Sequence, residues 1–252
     1  MEKISKAQVK MVRSLQQKKF RDELGLFVAE GEKCVEEIRK GFELVHLFRE
    51  GENATRTEIE QMSGLETPQG VIGVFRKRPN ELAMPKEPVT DRLMLMLDGI
   101  QNPGNLGTII RTADWFGVRS IVCSPDTADC YNPKVVQATM GALTRVQLQY
   151  INLPKLLHTI EEAHRLFTPK QPPLCIYGTL LDGKDMYEKG AIDRNRTRGV
   201  IIMGNEGKGI SPEVRRYITH PIRIPSYPKN VETSESLNVA IATAIVLAEF
   251  RR

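Results

Sequence analysis

The chain has 252 residues, 40% hydrophobic and 27% charged, enough for one large domain or two small ones with their own cores. No apolar run approaches the ~20 residues of a membrane helix. The opening Met1-Glu2-Lys3-Ile4-Ser5-Lys6 is too polar for a secretory signal, so a cytoplasmic protein is expected. The net charge of +5 excludes little by itself, but its distribution is uneven. Lys3, Lys6, Lys10, Arg13, Lys18, Lys19 and Arg21 crowd the start, and Arg76-Lys77-Arg78 forms a second cluster. Each is either a solvated helix face or a surface that tracks nucleic-acid phosphates. Cys34, Cys123, Cys130 and Cys175 form no C-x-x-C pair and lie at no zinc-ligand spacing from a histidine. Reduced, buried thiols are expected, with neither a metal nor a disulfide framework.

In chain order, a helix is predicted over Lys6 to Gln17, a strand over Leu26 to Ala29 and a helix from Glu32 to Lys40. A strand over Leu44 to Phe48, a helix over Thr55 to Met62 and a strand over Val71 to Phe75 complete a small α/β module, residues 1–78. Residues 79–91 hold Pro79, Pro85 and Pro88 among few apolar groups and read as a linker.

Residues 92–252 alternate more regularly. Leu93 to Leu97 is a continuous apolar run of strand length, and Asn105 to Phe116 reads as a helix with Ile109, Ile110, Ala113 and Phe116 near helical spacing. Trp115 is expected in the core. Then come a strand at Ser120 to Cys123, a helix at Pro133 to Met140, a strand at Val146 to Tyr150 and a helix at Leu153 to Arg165. Strands follow at Leu174 to Gly178 and Gly199 to Met203. Ser211-Pro212 opens a helix, Ile222 to Ile224 is a short strand, and Ser236 to Phe250 is a closing helix. Apolar strands alternating with helices imply a parallel sheet covered on both faces.

Ligands of such sheets collect at the carboxyl ends of strands. Three strand ends carry unusual loops: Asp98 to Gly107, Gly204 to Gly209, and Pro225 to Glu235 leading into Ser236-Leu237-Asn238. None fits a phosphate loop, since Gly207-Lys208 is followed by Gly209 and Ile202 stands where the first glycine belongs. The glycines at 99, 104 and 107, and at 204, 207 and 209, also miss the dinucleotide fingerprint.

Asn105-Leu106-Gly107-Thr108-Ile109-Ile110-Arg111-Thr112-Ala113, then Met203-Gly204-Asn205-Glu206-Gly207-Lys208-Gly209, then Ser236-Leu237-Asn238-Val239-Ala240, in that order, resemble the SpoU family of RNA ribose 2′-O-methyltransferases, within the SPOUT class. The resemblance covers about residues 92 to 250. The N-terminal module resembles the substrate-binding domain that often precedes it, with a fold like certain ribosomal proteins.

The resemblance implies a trefoil-knotted parallel sheet in residues 92–252, S-adenosylmethionine as cofactor, no metal, and a homodimer whose interface lies against the cofactor site. It implies main-chain contacts to the cofactor from Gly204, Ile224 and Leu237, joined by Thr179, and a polar catalytic set of Asn105, Arg111, Glu206, Ser236 and Asn238. One departure is the stretch between Ile224 and Ser236, which is longer than the family pattern.

Methylating a ribose hydroxyl requires alignment of oxygen, methyl carbon and sulfur, and removal of a proton from a very weak acid. His46, His158, His164 and His220 all lie outside the three motifs, so an imidazole base is not expected. Arg111 is assigned to the developing alkoxide and a neighbouring phosphate, Asn105 and Asn238 to positioning, and Glu206 to orienting Arg111 or the ribose. The alternatives are that Asn105 and Asn238 are helix caps, Arg111 a surface ion pair and Glu206 a solvated charge. Structured RNA is the expected substrate, ribosomal RNA ahead of transfer RNA. The competing reading is an RNA-binding assembly factor that keeps the fold without catalysis.

Overall fold

The computed structural model describes residues 4–79, 93–167, 170, 172–193, 199–228 and 236–252. Most of the proline-rich linker therefore lies outside the described residues. The chain divides into two compact units. One gathers the N-terminal residues through Pro79 together with Leu106–Arg111 and Asp129–Arg145; the remainder forms the other.

The first unit opens with α1 (Lys6–Ser14), held by a capping box in which Ser5 and Gln8 satisfy each other's backbone amides. α2 (Lys18–Leu24) follows and ends on Gly25 in the left-handed conformation. A three-stranded antiparallel sheet takes β1 (Leu26–Glu30), β2 (Leu44–Arg49) and β3 (Val71–Arg76) in the order β1-β3-β2. α3 (Glu32–Arg39) and α4 (Arg56–Met62) complete the module. One face of the sheet buries Val28, Phe48, Ile72 and Val74 against Val12, Leu15, Ile59 and Met62.

A second cluster of this unit joins Phe27 and Phe42 to Tyr131, with the Phe27 and Tyr131 ring centroids 4.8 Å apart. Tyr131 precedes α6 (Pro133–Thr139), which packs on β1. Arg21 is buried here. Its Nε and Nη2 donate to one Asp129 carboxylate oxygen at 3.0 and 2.7 Å, and its Nη1 donates to the Leu15 and Gln16 carbonyls. Arg78 lies over the Phe42 ring and donates to the carbonyls of Gly41 and Thr144. Of the two basic clusters, Arg21 and Arg78 are thus taken up by internal bonds. Lys18 and Lys77 both pair with Asp22, and Arg76 pairs with Glu43. Lys6, Lys10 and Arg13 share one exposed helical face.

The second unit holds a six-stranded, wholly parallel sheet in the order β6-β5-β4-β8-β7-β9. Its strands are β4 (Leu93–Asp98), β5 (Ser120–Cys123), β6 (Gln147–Tyr150), β7 (Ile176–Asp185), β8 (Gly199–Gly204) and β9 (His220–Arg223). β4 and β8 are apolar along almost their whole length because both faces of a central parallel strand are covered. α7 (Leu153–Phe167) buries Leu153 and Leu157 with Met96, Val122, Val200 and Ile202. α8 (Pro212–Arg215) and α9 (Val239–Phe250) are further helices of this unit, and α5 (Pro103–Trp115) is divided, its Leu106–Arg111 stretch belonging to the first unit.

β7 runs seven residues beyond the predicted Gly178. After Thr179 the chain bulges, then pairs again with β9 through Lys184 and Asp185. Gly183 makes this possible: a Cβ there would stand 2.5 to 2.8 Å from the backbone of Ile222. Trp115 corrects another expectation. It is 84% exposed, because the inward face of α5 is filled by Leu106, Ile109, Ile110 and Ala113.

Candidate functional site

β4 and β8 are neighbours, and their last residues, Asp98 and Gly204, are partners in register. The loops that follow therefore start side by side at the carboxyl edge of the sheet, where backbone groups of parallel strands are left unpaired.

The β4 loop turns at Gly99, whose φ of +74° favours glycine. It leads to Asn102, the N-cap of α5, whose side chain accepts from the amides of Gly104 and Asn105. Pro103 at the first helical position needs no partner for its missing N–H. Asn102 is therefore the cap, leaving the Asn105 side chain for other work.

Asn105 sits between two partners. Its Nδ2 donates to Glu206 Oε1 at 2.8 Å, and its Oδ1 accepts from Asn238 Nδ2 at 3.0 Å. Asn238 also caps α9, with its Oδ1 accepting from the amides of Ala240 and Ile241. Asn238 can cap α9 and bond Asn105 together, because an amide side chain offers an acceptor and donors at once. One residue from each of the three motifs thus joins a single chain of hydrogen bonds.

The remaining members of the predicted set fall differently. Ser236 is exposed and takes no part in that chain of bonds. Arg111 stands on α5 six residues after Asn105, about 9 Å along the axis. It is exposed and makes no ion pair among the described residues, so the surface-ion-pair reading has no partner to support it.

β8, β7 and β9 are consecutive in the sheet, and Gly204, Thr179 and Ile224 lie at or just past the carboxyl ends of their paired segments. All three are half-buried, and Leu237, beside Asn238, is 48% exposed. Thr179 donates its hydroxyl to the Ile202 carbonyl at 3.3 Å, which fixes its side chain against β8. None of the four residues carries a charged side chain. Of the long loop, residues 229–235 lie outside the described residues.

Sequence reasoning missed two side chains. Asn205 donates to the Gly99 carbonyl at 2.6 Å, and its Oδ1 accepts from the amides of Gly207 and Lys208 at 3.0 Å each. Asp98, buried, accepts from the Ser211 amide at 2.7 Å. The signal was present: an asparagine set among glycines is a turn former through its own side chain.

Residues 92–248 match the SpoU rRNA Methylase family, and residues 6–57 match the MRM3-like substrate binding domain. The chain is 30% identical over 258 residues to the 23S rRNA (guanosine(2553)-2'-O)-methyltransferase RlmP of Bacillus subtilis, covering 96% of this chain and 95% of that one. It is 32% identical over 190 residues to the 23S rRNA (guanosine-2'-O-)-methyltransferase RlmB of Neisseria meningitidis, covering 73% and 69%. Among solved structures, a protein of Porphyromonas gingivalis assigned to the TrmH family of RNA methyltransferases matches with a TM-score of 0.80, at 36% identity over 98% of both chains. An AdoMet-bound rRNA methyltransferase of Sinorhizobium meliloti matches with a TM-score of 0.75, at 30% identity over 100% and 96%.

Proposed function

Because the chain belongs to the SpoU rRNA methylase family, we propose that it transfers a methyl group from S-adenosylmethionine to the 2′-hydroxyl of a guanosine in large-subunit ribosomal RNA. The family makes it an RNA 2′-O-ribose methyltransferase. The guanosine and the ribosomal target come from the relatives that it resembles over most of its length. The observation that carries the catalytic reading is the Glu206–Asn105–Asn238 chain, which a binding protein without catalysis would have no need to assemble.

S-adenosylmethionine, when bound, supplies a methyl group already activated by its sulfonium charge. Gly204, Thr179, Ile224 and Leu237 would hold it through main-chain groups at the ends of β8, β7, β9 and just before α9. Asn105 is fixed at both ends of its amide, and so keeps Glu206 and Asn238 at set positions from which to orient the ribose. Arg111, which makes no ion pair among the described residues, would meet the developing alkoxide and an RNA phosphate. A guanidinium is almost always protonated, so stabilising negative charge is the role that suits it. Ser236 completes the polar set from the last motif.

The working form is a homodimer. α9 is apolar apart from buried Thr243 and Glu249, and while Val239, Ala240, Val246 and Leu247 are buried, Ile241 is 55% exposed and Ala248 exposed at the seven-residue spacing of one face. Such a stripe, continuous with exposed Leu237 beside the site, fits a second copy of the same surface. The parallel sheet ordered β6-β5-β4-β8-β7-β9 is read as threaded into a trefoil knot, as the family resemblance implies. Lys6, Lys10 and Arg13 on α1 offer a phosphate-facing surface on the N-terminal module, residues 1–78. Four buried cysteines, none of them in a disulfide, accord with a cytoplasmic location.

Calorimetry with S-adenosylmethionine, and ribose-methylation mapping of ribosomal RNA from cells with and without this protein, test the reading. A single large-subunit guanosine that loses its methyl group is the expected result. Undetectable cofactor binding at millimolar concentration, with an unchanged methylation map, would favour the assembly-factor alternative.

A further inference from the structure

We infer that Asp98 and Asn205 form a reciprocal latch whose task is to set the position of Glu206. The inference rests on the methyl-transfer reading above and adds to it two positioning residues outside the three-residue chain.

The loops after β4 and β8 leave the sheet from adjacent strand ends, and each reaches across to the other. Asp98, the last residue of β4, accepts from the Ser211 amide, just beyond the exit of the Gly204–Gly209 loop. Asn205, at the entry of that loop, donates to the Gly99 carbonyl, one residue beyond Asp98. The loop carrying Glu206 is thereby bracketed at both ends by side-chain bonds to or from a single dipeptide, Asp98-Gly99.

The bracketed loop is itself closed. Asn205 and Gly209 exchange backbone hydrogen bonds at 3.0 and 2.9 Å. Asn205 Oδ1 takes the amides of Gly207 and Lys208, the two residues after Glu206. The Gly99 side is equally fixed: its amide donates to Ser124 Oγ at 2.8 Å, and Ser124 in turn bonds Asp126. Glu206 is exposed and has one described hydrogen bond, from Asn105. A solvated carboxylate with one partner holds its place only as well as its backbone does. The latch supplies that backbone constraint, so its effect passes through Glu206.

The two substitutions Asn205→Asp and Asp98→Asn separate the functions of these groups. Asn205→Asp keeps an oxygen for the amides of Gly207 and Lys208 but replaces the donor to Gly99 with a repelling oxygen. Asp98→Asn keeps an acceptor for Ser211 and serves as the conservative variant against Asp98→Ala. The measurements are kcat and the KM for S-adenosylmethionine, using large-subunit ribosomal RNA from cells lacking the protein. Thermal melting and cofactor calorimetry accompany each variant.

Asn205→Asp is expected to lower kcat by about tenfold or more with KM changed less than about threefold, and Asp98→Asn to recover most of what Asp98→Ala loses. In a Glu206→Gln background the Asn205→Asp effect should shrink to less than about twofold, since the group it positions is already gone. Penalties that multiply in the double variant, or an unchanged kcat in Asn205→Asp, would overturn the latch. If Asn205→Asp does not fold, the Asp98→Ala and Asp98→Asn pair in the same Glu206→Gln background decides it by the same criterion. Absence of methyl transfer by the unsubstituted protein would instead refute the methyltransferase reading itself.

Discussion

Asn105 donates to Glu206 at 2.8 Å across 101 residues of sequence, joining the first turn of α5 to the loop after β8. Replacing the donor with an acceptor reverses this contact. Asn105→Asp would set two carboxylates against each other, and like charges at that distance raise the pKa of one of them. Methyl transfer at neutral pH is expected to fall by about a hundredfold. It should recover partly as pH drops, because one shared proton restores a hydrogen bond between the two groups. A pH–rate profile of the variant, compared with that of the parent, checks both parts.

Gly204 leaves no room for a side chain. A Cβ there would lie 2.3 Å from the Gly209 carbonyl carbon and 2.4 Å from the Ile210 nitrogen, both backbone atoms. Gly204→Ala must therefore push the loop open, at a cost of about 1–3 kcal/mol as for other overpacked sites. Calorimetry should show at least tenfold weaker S-adenosylmethionine binding in a protein that still folds. Unaltered affinity would remove Gly204 from the cofactor wall.

The Arg21–Asp129 pair is almost fully buried, with side chains 2% and 9% exposed. Removing one partner leaves the other charge without water or counterion. Asp129→Ala is expected to cost about 3–5 kcal/mol in urea denaturation. The double variant Arg21→Met/Asp129→Leu should recover most of it, since an apolar pair needs no desolvation of charge. Additive losses in the double variant would argue against the pair acting as a unit.

Ile241 tests the homodimer. Ile241→Glu places a charge in the middle of the exposed α9 stripe, while the inward residues Val246 and Leu247 are untouched. Sedimentation should show a monomer at concentrations where the parent is dimeric, with a dissociation constant raised at least a hundredfold. A parent protein that sediments as a monomer would refute the dimer directly.

The positions of the strands were legible in the sequence and the contacts of the polar side chains less so. β4, β5 and β8 were visible because buried parallel strands are continuous apolar runs. α2 was missed because its one buried side chain is Arg21, a charge where periodicity looks for an apolar residue. The far half of β7 was missed because Leu180-Leu181-Asp182-Gly183-Lys184-Asp185 alternates neither in period two nor in helical spacing; it is fixed by Gly183 crossing β9. α9 was predicted from Ser236 but starts at Val239, since Asn238 is its cap. The three motifs gave Asn105, Glu206 and Asn238 by resemblance. They did not reveal Asn205, whose contribution lies in reaching Gly99, a contact between chain segments that spacing cannot encode.

The first unit has a consequence for how such chains are assembled over generations. Its aromatic cluster and its buried ion pair are shared between the N-terminal module and residues 129–145, far beyond the linker in the sequence. An exchange of the module cut at the proline-rich stretch would carry away Phe27, Phe42 and Arg21 while leaving Tyr131 and Asp129 behind. Viable recombinants must inherit both pieces from one parent or change them in step. The module and the 129–145 segment are thus expected to descend as a linked pair despite the residues that separate them.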